Sequence, residues 1–444
     1  MKFLTLFIAL YSISAQALEI SFEKDDSLPL VYINVAFKTG SVLDPVEKSG
    51  LSNFVGQMML RGTQSKTKEQ IDQAIDNLGA RLEVETRSES TIFRGAVLSA
   101  QFEAFSEILL DVLTHPTFPE TEIQKLKDEV TSKILEAQGK DNSLARKHFD
   151  SWFFGKHPYA KPLYGKIKTL KAITQSDLTE FYNKWLRANN ILIVGSGDLD
   201  DQKIVAFASR LKKDRAGGET APKLAMPEVP AGRRVLIIDK PDRTQTQINV
   251  GQIGVKMDDP EYFPLYLANY AYGGGSFNSR MMVEIRVKRG WSYGAYSFLK
   301  EGTQPRLWQY YLFPASKDTE AALKYSLEML EDFKNKGLSE AEFSLAQRSL
   351  VNNAGFTFNT PLKRVENTLT ERTLGLPEGF YKTFAEKLQA LKLADVNQSV
   401  AKFLKPDQLS ISVLATASQL KAGISKVTGV DEKNIQVINY SEDP

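Results

Sequence analysis

Residues Leu170 to Gly195 read LKAITQSDLTEFYNKWLRANNILIVG, and Leu388 to Val413 read LQALKLADVNQSVAKFLKPDQLSISV. Leu170-Lys171-Ala172, Asp177, Trp185, Leu186, Ile191 and Ile193 correspond to Leu388-Gln389-Ala390, Asp395, Phe403, Leu404, Leu409 and Ile411, at a constant offset of 218 residues. Further upstream, Leu109, Leu113, Phe118 and Glu122 correspond to Met329, Phe333, Leu338 and Glu342, at an offset of 220. Two separate segments that keep nearly one offset make chance similarity of amphipathic helices a poor explanation; the chain is an internal duplication. Each copy reads as two long helices, then a further helix, then an apolar strand.

Strands come first in each half. Leu28–Lys38 and Arg81–Leu98 alternate in the manner of antiparallel strands, and Val235–Asp239, Gln245–Val255 and Ser292–Lys300 take the same places in the second half. Strands followed by a run of helices predict an α+β layer architecture, here two tandem homologous α+β domains with mixed, mainly antiparallel sheets. Asp214–Arg233 is rich in glycine, proline and alanine and lacks periodicity, so it reads as a linker. The expected division is a domain at 18–213, a linker at 214–233 and a second domain at 234–444.

The first seventeen residues read as a targeting segment. Lys2 gives a positive start, Phe3–Ser14 a short apolar run, and Ala15-Gln16-Ala17 a small-x-small cleavage site. A cleaved signal peptide at 1–17 predicts an exported protein, periplasmic or extracellular. The 56 basic residues against 54 acidic ones leave no excess to attract nucleic acid or anionic lipid. Cysteine is absent, which excludes a thiolate metal site and a cysteine nucleophile. The histidines are three, His115, His148 and His157, and no two lie within a helical turn of each other.

That count bears on Gly50–Thr63, GLSNFVGQMMLRGT. Leu51, Phe54, Val55 and Met58 make an apolar helical stripe. Asn53, Gly56 and Gln57 share another face with the spacing of H-x-x-E-H, in which two histidines ligate zinc and a glutamate activates water. Neutral amides are weak zinc ligands beside imidazole, and glycine offers no base. No G-x-S-x-G elbow, H-E-x-x-H, or Ser-x-x-Lys motif with supporting partners replaces it. The glycine run Gly273–Gly275 lacks a following Walker lysine and the G-x-G-x-x-G spacing, so it reads as a backbone turn before a Ser279–Arg286 helix.

With its Gly-Leu lead-in and Arg-Gly-Thr exit, Gly50–Thr63 resembles the motif helix of the insulinase/pitrilysin-like metallopeptidases. Further landmarks are His157-Pro158-Tyr159, Pro162, Gly165, the glycine run, Ser279-Arg280 and the block Glu284–Tyr293, EIRVKRGWSY. The resemblance spans nearly all of the chain after the targeting segment. It implies a duplicated α+β fold forming half of a clam-shell, with degenerate metal positions at Asn53, Gly56 and Gln57. The family's third zinc ligand is a downstream glutamate; its distance from Gln57, anchored on Asp141–Leu144, falls on Lys133, with Glu129 and Glu136 about a turn away. The resemblance also makes Arg286 and Tyr293 the pair that holds substrate backbone beside the zinc of another domain. A guanidinium fork suits a carbonyl or carboxylate, and a tyrosine hydroxyl can hydrogen-bond a peptide.

The resemblance thus implies no catalytic residue, metal or cofactor in this chain, with zinc in a homologous partner subunit of a heterodimer and a peptide or unfolded polypeptide as substrate. The alternative is a non-enzymatic pseudopeptidase that binds peptides or serves as a structural subunit. On the residues alone, Arg286 could instead pair with Glu284, and Tyr293 could be a core aromatic.

Overall fold

The structure, a computed structural model, describes residues 18–275 and 277–442; the expected signal peptide lies outside them. Two sheets organise the described residues. The first contains β1 (Glu19–Lys24), β2 (Leu30–Phe37), β3 (Arg81–Thr86), β4 (Thr91–Leu98) and β5 (Ile191–Gly197), in the order β1-β5-β2-β4-β3. The second contains β6 (Arg234–Asp239), β7 (Gln247–Ile253), β8 (Ser292–Leu299), β9 (Leu307–Pro314), β10 (Ser410–Ala415) and β11 (Gln436–Asn439), in the order β11-β6-β10-β7-β9-β8. Without β11 the two orders are the same. In each sheet a parallel ladder, β1 with β5 or β6 with β10, joins antiparallel neighbours, and the second sheet adds a further parallel ladder of β11 with β6. The fold is a duplicated α+β fold, mainly antiparallel.

Strand alternation sets the layers. Val31, Ile33, Val35 and Phe37 of β2 face the helices Leu51–Met59 and Phe102–Thr114, meeting Phe54, Met58, Phe105 and Leu109. In the second sheet Val250, Trp308, Tyr310 and Leu312 face Tyr272, Met281, Leu330 and Phe333. The opposite face of each sheet is also apolar, because β5 and β6 are continuous hydrophobic runs, the pattern of strands buried on both sides.

The helices that cover those second faces come from the other half of the sequence. Helix Pro361–Leu374 lays Val365 and Leu369 on Ala36, Ile92, Leu192 and Val194 of the first sheet. Helix Asp141–Phe154 lays Leu144 and Ala145 on Leu236, Ile238 and Leu414 of the second. Charges fix both. Arg364 pairs with Glu23 and Asp25, and Arg94 with Glu366, on one helix; Lys240 pairs with Asp141 and Lys300 with Asp150 on the other. Accordingly the chain forms two compact units. Among the described residues, one comprises 18–134, Lys161–Lys223 and Phe356–Gly379, the other Leu135–Ala160, Leu224–Gly355 and 380–442. The two exchanged helices are duplicates of each other, and the sequence reading had only one helix between the long pair and the apolar strand. No helix among the described residues is long and apolar enough to cross a membrane.

Candidate functional site

Gly50–Thr63 forms the helix Leu51–Met59. Asp44 fixes its start: Oδ2 accepts from the Gly50 amide at 2.7 Å and Oδ1 from the Ser52 amide at 2.8 Å, where a carboxylate meets unpaired helix N–H groups. Burial nonetheless pushes the Asp44 carboxyl up to about 7, against the pull of those amides. Gly50 adopts φ 95°, and a Cβ there would meet Gly165 at 2.9 Å, so both landmark glycines are set by one close backbone approach.

The face that resembles a zinc motif is buried at Asn53 and Gly56 and partly exposed at Gln57. Asn53 is 5% exposed, and its Oδ1 accepts from Gln57 Nε2 at 3.1 Å, while its Nδ2 has no partner among the described residues. Gly56 lies against the end of the β3–β4 hairpin. A Cβ on it would stand 3.0 Å from Thr91 Cγ2 and 3.2 Å from both Thr86 Oγ1 and Val84 Cγ2. Glycine therefore suits the tight packing at this position.

The remaining donors do not complete a metal site. Lys133 is exposed on helix Glu120–Gly139. Glu129 pairs with Arg61 at 2.5 Å and Glu136 with Lys140 at 2.7 Å. His115 lies after helix Phe102–Thr114, His148 is buried on Asp141–Phe154, and the His157 imidazole accepts from the Tyr159 amide at 3.1 Å. No three His, Asp or Glu side chains among the described residues gather to hold an ion. An amide pair with a glycine between them does not fit zinc, and no chemical step is assigned to a metal in this chain.

The second candidate centre begins at the glycine run. Tyr270–Gly274 is a π-helical turn, so Gly273 and Gly274 lie inside it and only Gly275 leaves it, which corrects the simple turn expected there. A Cβ on Gly273 would stand 2.7 Å from the Ser297 amide of β8. A second π-helical stretch, Met282–Val287, carries Arg286; the Lys288 amide donates to Val283 O at 2.9 Å, five residues back. Gly290, at φ 64°, then turns the chain into β8, and Tyr293 stands at the head of that strand.

Glu284 takes up the other charges of this block. It pairs with Lys288 at 2.6 Å and Arg289 at 2.8 Å and accepts from Tyr325 Oη at 2.9 Å. Burial raises its pKa, but these three donors outweigh that and hold it at about 2. Arg286 therefore does not pair with Glu284. Among the described residues it has no carboxylate partner, and its guanidinium lies 4.3 Å from the Tyr293 ring and 4.8 Å from the Phe277 ring. Tyr293 is 76% exposed and Phe277 60% exposed, so neither is a core aromatic. Phe277 was not singled out in the sequence; an exposed phenylalanine has no signature before the fold is known. Arg280 of the same block is structural: it binds Glu342 through both oxygens at 2.7 Å and Gly337 O at 2.8 Å.

A family model described as insulinase (peptidase family M16) matches residues 20–166, and one described as peptidase M16 inactive domain matches residues 172–350. This chain belongs to the insulinase-like M16 peptidase family. An "uncharacterized zinc protease" of Rickettsia felis is 30% identical over 269 residues, 60% of this chain and 64% of that protein's length. The "mitochondrial-processing peptidase subunit beta" of Saccharomyces cerevisiae is 23% identical over 332 residues, 72% of each chain. Among solved structures, a "peptidase M16 inactive domain" from Pseudomonas fluorescens superimposes with a TM-score of 0.86 at 25% identity, covering 92% of this chain and 98% of its own. Helix Leu51–Met59 lies within the stretch matched as insulinase, and Arg286 and Tyr293 lie within the stretch matched as the inactive domain.

Proposed function

We propose that this insulinase-family chain is the exported, metal-less subunit of a two-chain peptidase. Arg286 and Tyr293 hold the backbone or a carboxylate of an extended peptide, and a homologous zinc-bearing partner carries out hydrolysis. The observation that carries the proposal is the state of Arg286: every other charge in its block is paired around Glu284, while this one rests on two exposed aromatic rings and has no carboxylate partner among the described residues. A cation held by its ring neighbours and lacking a counter-ion is ready for an anionic or carbonyl ligand. The Asn53–Gly56–Gln57 face, buried at its first two positions, supports placing the catalytic metal on another chain, and a relative named as a peptidase subunit supports a divided enzyme.

The test is reconstitution with a homologous chain that carries an intact H-x-x-E-H. The complex is expected to bind zinc and cleave peptides, and this chain alone to do neither. In the complex, Arg286→Ala should lower kcat/KM by about ten- to a hundredfold, the worth of one charge-assisted hydrogen bond, and Tyr293→Phe by about three- to tenfold. Both variants should co-elute with the partner as the wild type does. Stoichiometric zinc or cleavage by the single chain overturns the proposal. Peptide binding without any catalytic partner would assign the chain to a non-enzymatic binding role.

A further inference from the structure

The main core of the second unit lies on one face of its sheet. On the other face, β8 and β9 carry a row of aromatic rings. Tyr296 and Tyr311 face each other across the ladder with ring centres 5.5 Å apart. Phe298 stacks on Tyr311 at 5.6 Å with an interplanar angle of 11°, and Phe313 lies on its other flank at 6.2 Å and 21°. Gly294 leaves room for the row, since a Cβ there would come within 2.5 Å of the Tyr296 ring and 3.1 Å of the Phe313 ring. Helix Asp141–Phe154 covers the β6–β10 part of this face, whereas Phe298 remains 41% exposed, and β8 is the outermost strand.

Two cations accompany the row. Arg146, exposed on Asp141–Phe154, sets its guanidinium 5.8 Å from the Tyr311 ring and has no carboxylate partner among the described residues. Asp150, one turn along the same helix, is committed to Lys300 at 2.8 Å and 3.0 Å. Arg286 stands at the head of β8 in the same condition, on rings and without an acid. A row of stacked and tilted rings with Arg146 over one of them, preceded along β8 by Tyr293 with its Arg286, and with neither arginine holding a carboxylate partner among the described residues, complements a ligand that offers apolar side chains and negative charge together.

We infer that this row is the specificity surface for the extended peptide that Arg286 and Tyr293 hold: it takes aromatic or large aliphatic side chains with an acidic residue beside them. The inference rests on the peptide-binding reading above and adds the substrate class. From Tyr293 to Phe298 the strand runs about 17 Å at the usual rise, enough to align five or six residues of an extended ligand.

The probes are three dye-labelled nine-residue peptides of one length: one bearing Phe, Leu and Asp, one with Ser in place of Phe and Leu, one with Lys in place of Asp. Fluorescence anisotropy with the full chain should show the first binding about tenfold more tightly than either other. Phe298→Ser should weaken that peptide about three- to tenfold. The unfolding midpoint should not move, because Phe298 is half in solvent. Arg146→Gln should remove the preference for Asp over Lys. Equal binding of the three peptides, no binding at all, or indifference to both substitutions overturns the inference. Self-association in the ultracentrifuge that Phe298→Ser abolishes overturns it as well, by giving the face to a second copy. If Arg286→Ala abolishes binding of every peptide while Phe298→Ser and Arg146→Gln change nothing, peptide binding stands and the specificity surface falls.

Discussion

Gly56, which the resemblance sets where a catalytic glutamate would stand, is enclosed by packing. A side chain here would press on Thr91, Thr86 and Val84 and force those side chains to shift. Gly56→Glu is therefore expected to destabilise the chain by at least about 2 kcal/mol in urea unfolding, through overpacking and an unpaired buried carboxyl. Stability unchanged from wild type would mean that the face is open. Glu284 behaves differently. Its carboxyl is held at about 2 by Lys288, Tyr325 and Arg289, below the ordinary glutamate value near 4.5. A carboxylate depressed in the folded state contributes stability that is complete above about 4.5 and is lost as pH falls through about 2. Thermal unfolding followed over that window should show Glu284→Gln with a shallower acid decline than wild type. At this scale the identities of Asn53, Gln57, Arg286 and Tyr293 were readable in the sequence. Which of them face solvent was not, because exposure depends on partners from distant strands.

Among elements, the duplication was legible because paired helices and an apolar strand recur at one spacing. It extends to a detail that the sequence comparison passed over. Arg61, after the first motif helix, pairs with Glu122, and Arg280, after the corresponding stretch, pairs with Glu342. Glu122 and Glu342 are each the third residue of a long helix, Glu120–Gly139 and Glu340–Ala354. The first pair is the more enclosed, with side chains 11% and 8% exposed against 17% and 29%. Without Arg61, Glu122 keeps Lys125 at 2.6 Å, whereas without Arg280 Glu342 keeps no cation among the described residues, so Arg280→Ala should cost about 2 kcal/mol and Arg61→Ala less. Chemical denaturation of the two variants side by side checks the order. Strand β1 escaped notice because Glu19–Lys24 is short and charged at both ends, and its place is fixed by a parallel ladder to β5, far along the chain.

For the whole molecule, the reciprocal loan of helices decides what can be cut apart. The exchange was not legible because Asp141–Phe154 and Pro361–Leu374 have ordinary amphipathic patterns, and a pattern says that a face is buried without saying against which sheet. A fragment ending at residue 223 lacks Val365 and Leu369, leaving Ala36, Ile92, Leu192 and Val194 of its sheet bare. Expressed alone, fragments 18–223 and 224–442 should elute as aggregates or unfold several degrees below the intact chain. Co-expressed, neither fragment carries the helix it needs from its own half, so recovery requires them to associate. Two separate, soluble, cooperatively folding fragments would show that the exchanged helices are dispensable.

The same loan sets a timetable for synthesis. The five strands of the first sheet are all made by residue 197, yet the helix that closes their second face ends at residue 374. At ordinary elongation rates that closure comes on the order of 10–30 s later. Throughout that interval the nascent first half holds an apolar surface that only its own unfinished sequence can cover. Under the export proposed above, that delay keeps the chain loose and available to holding factors until most of it has emerged.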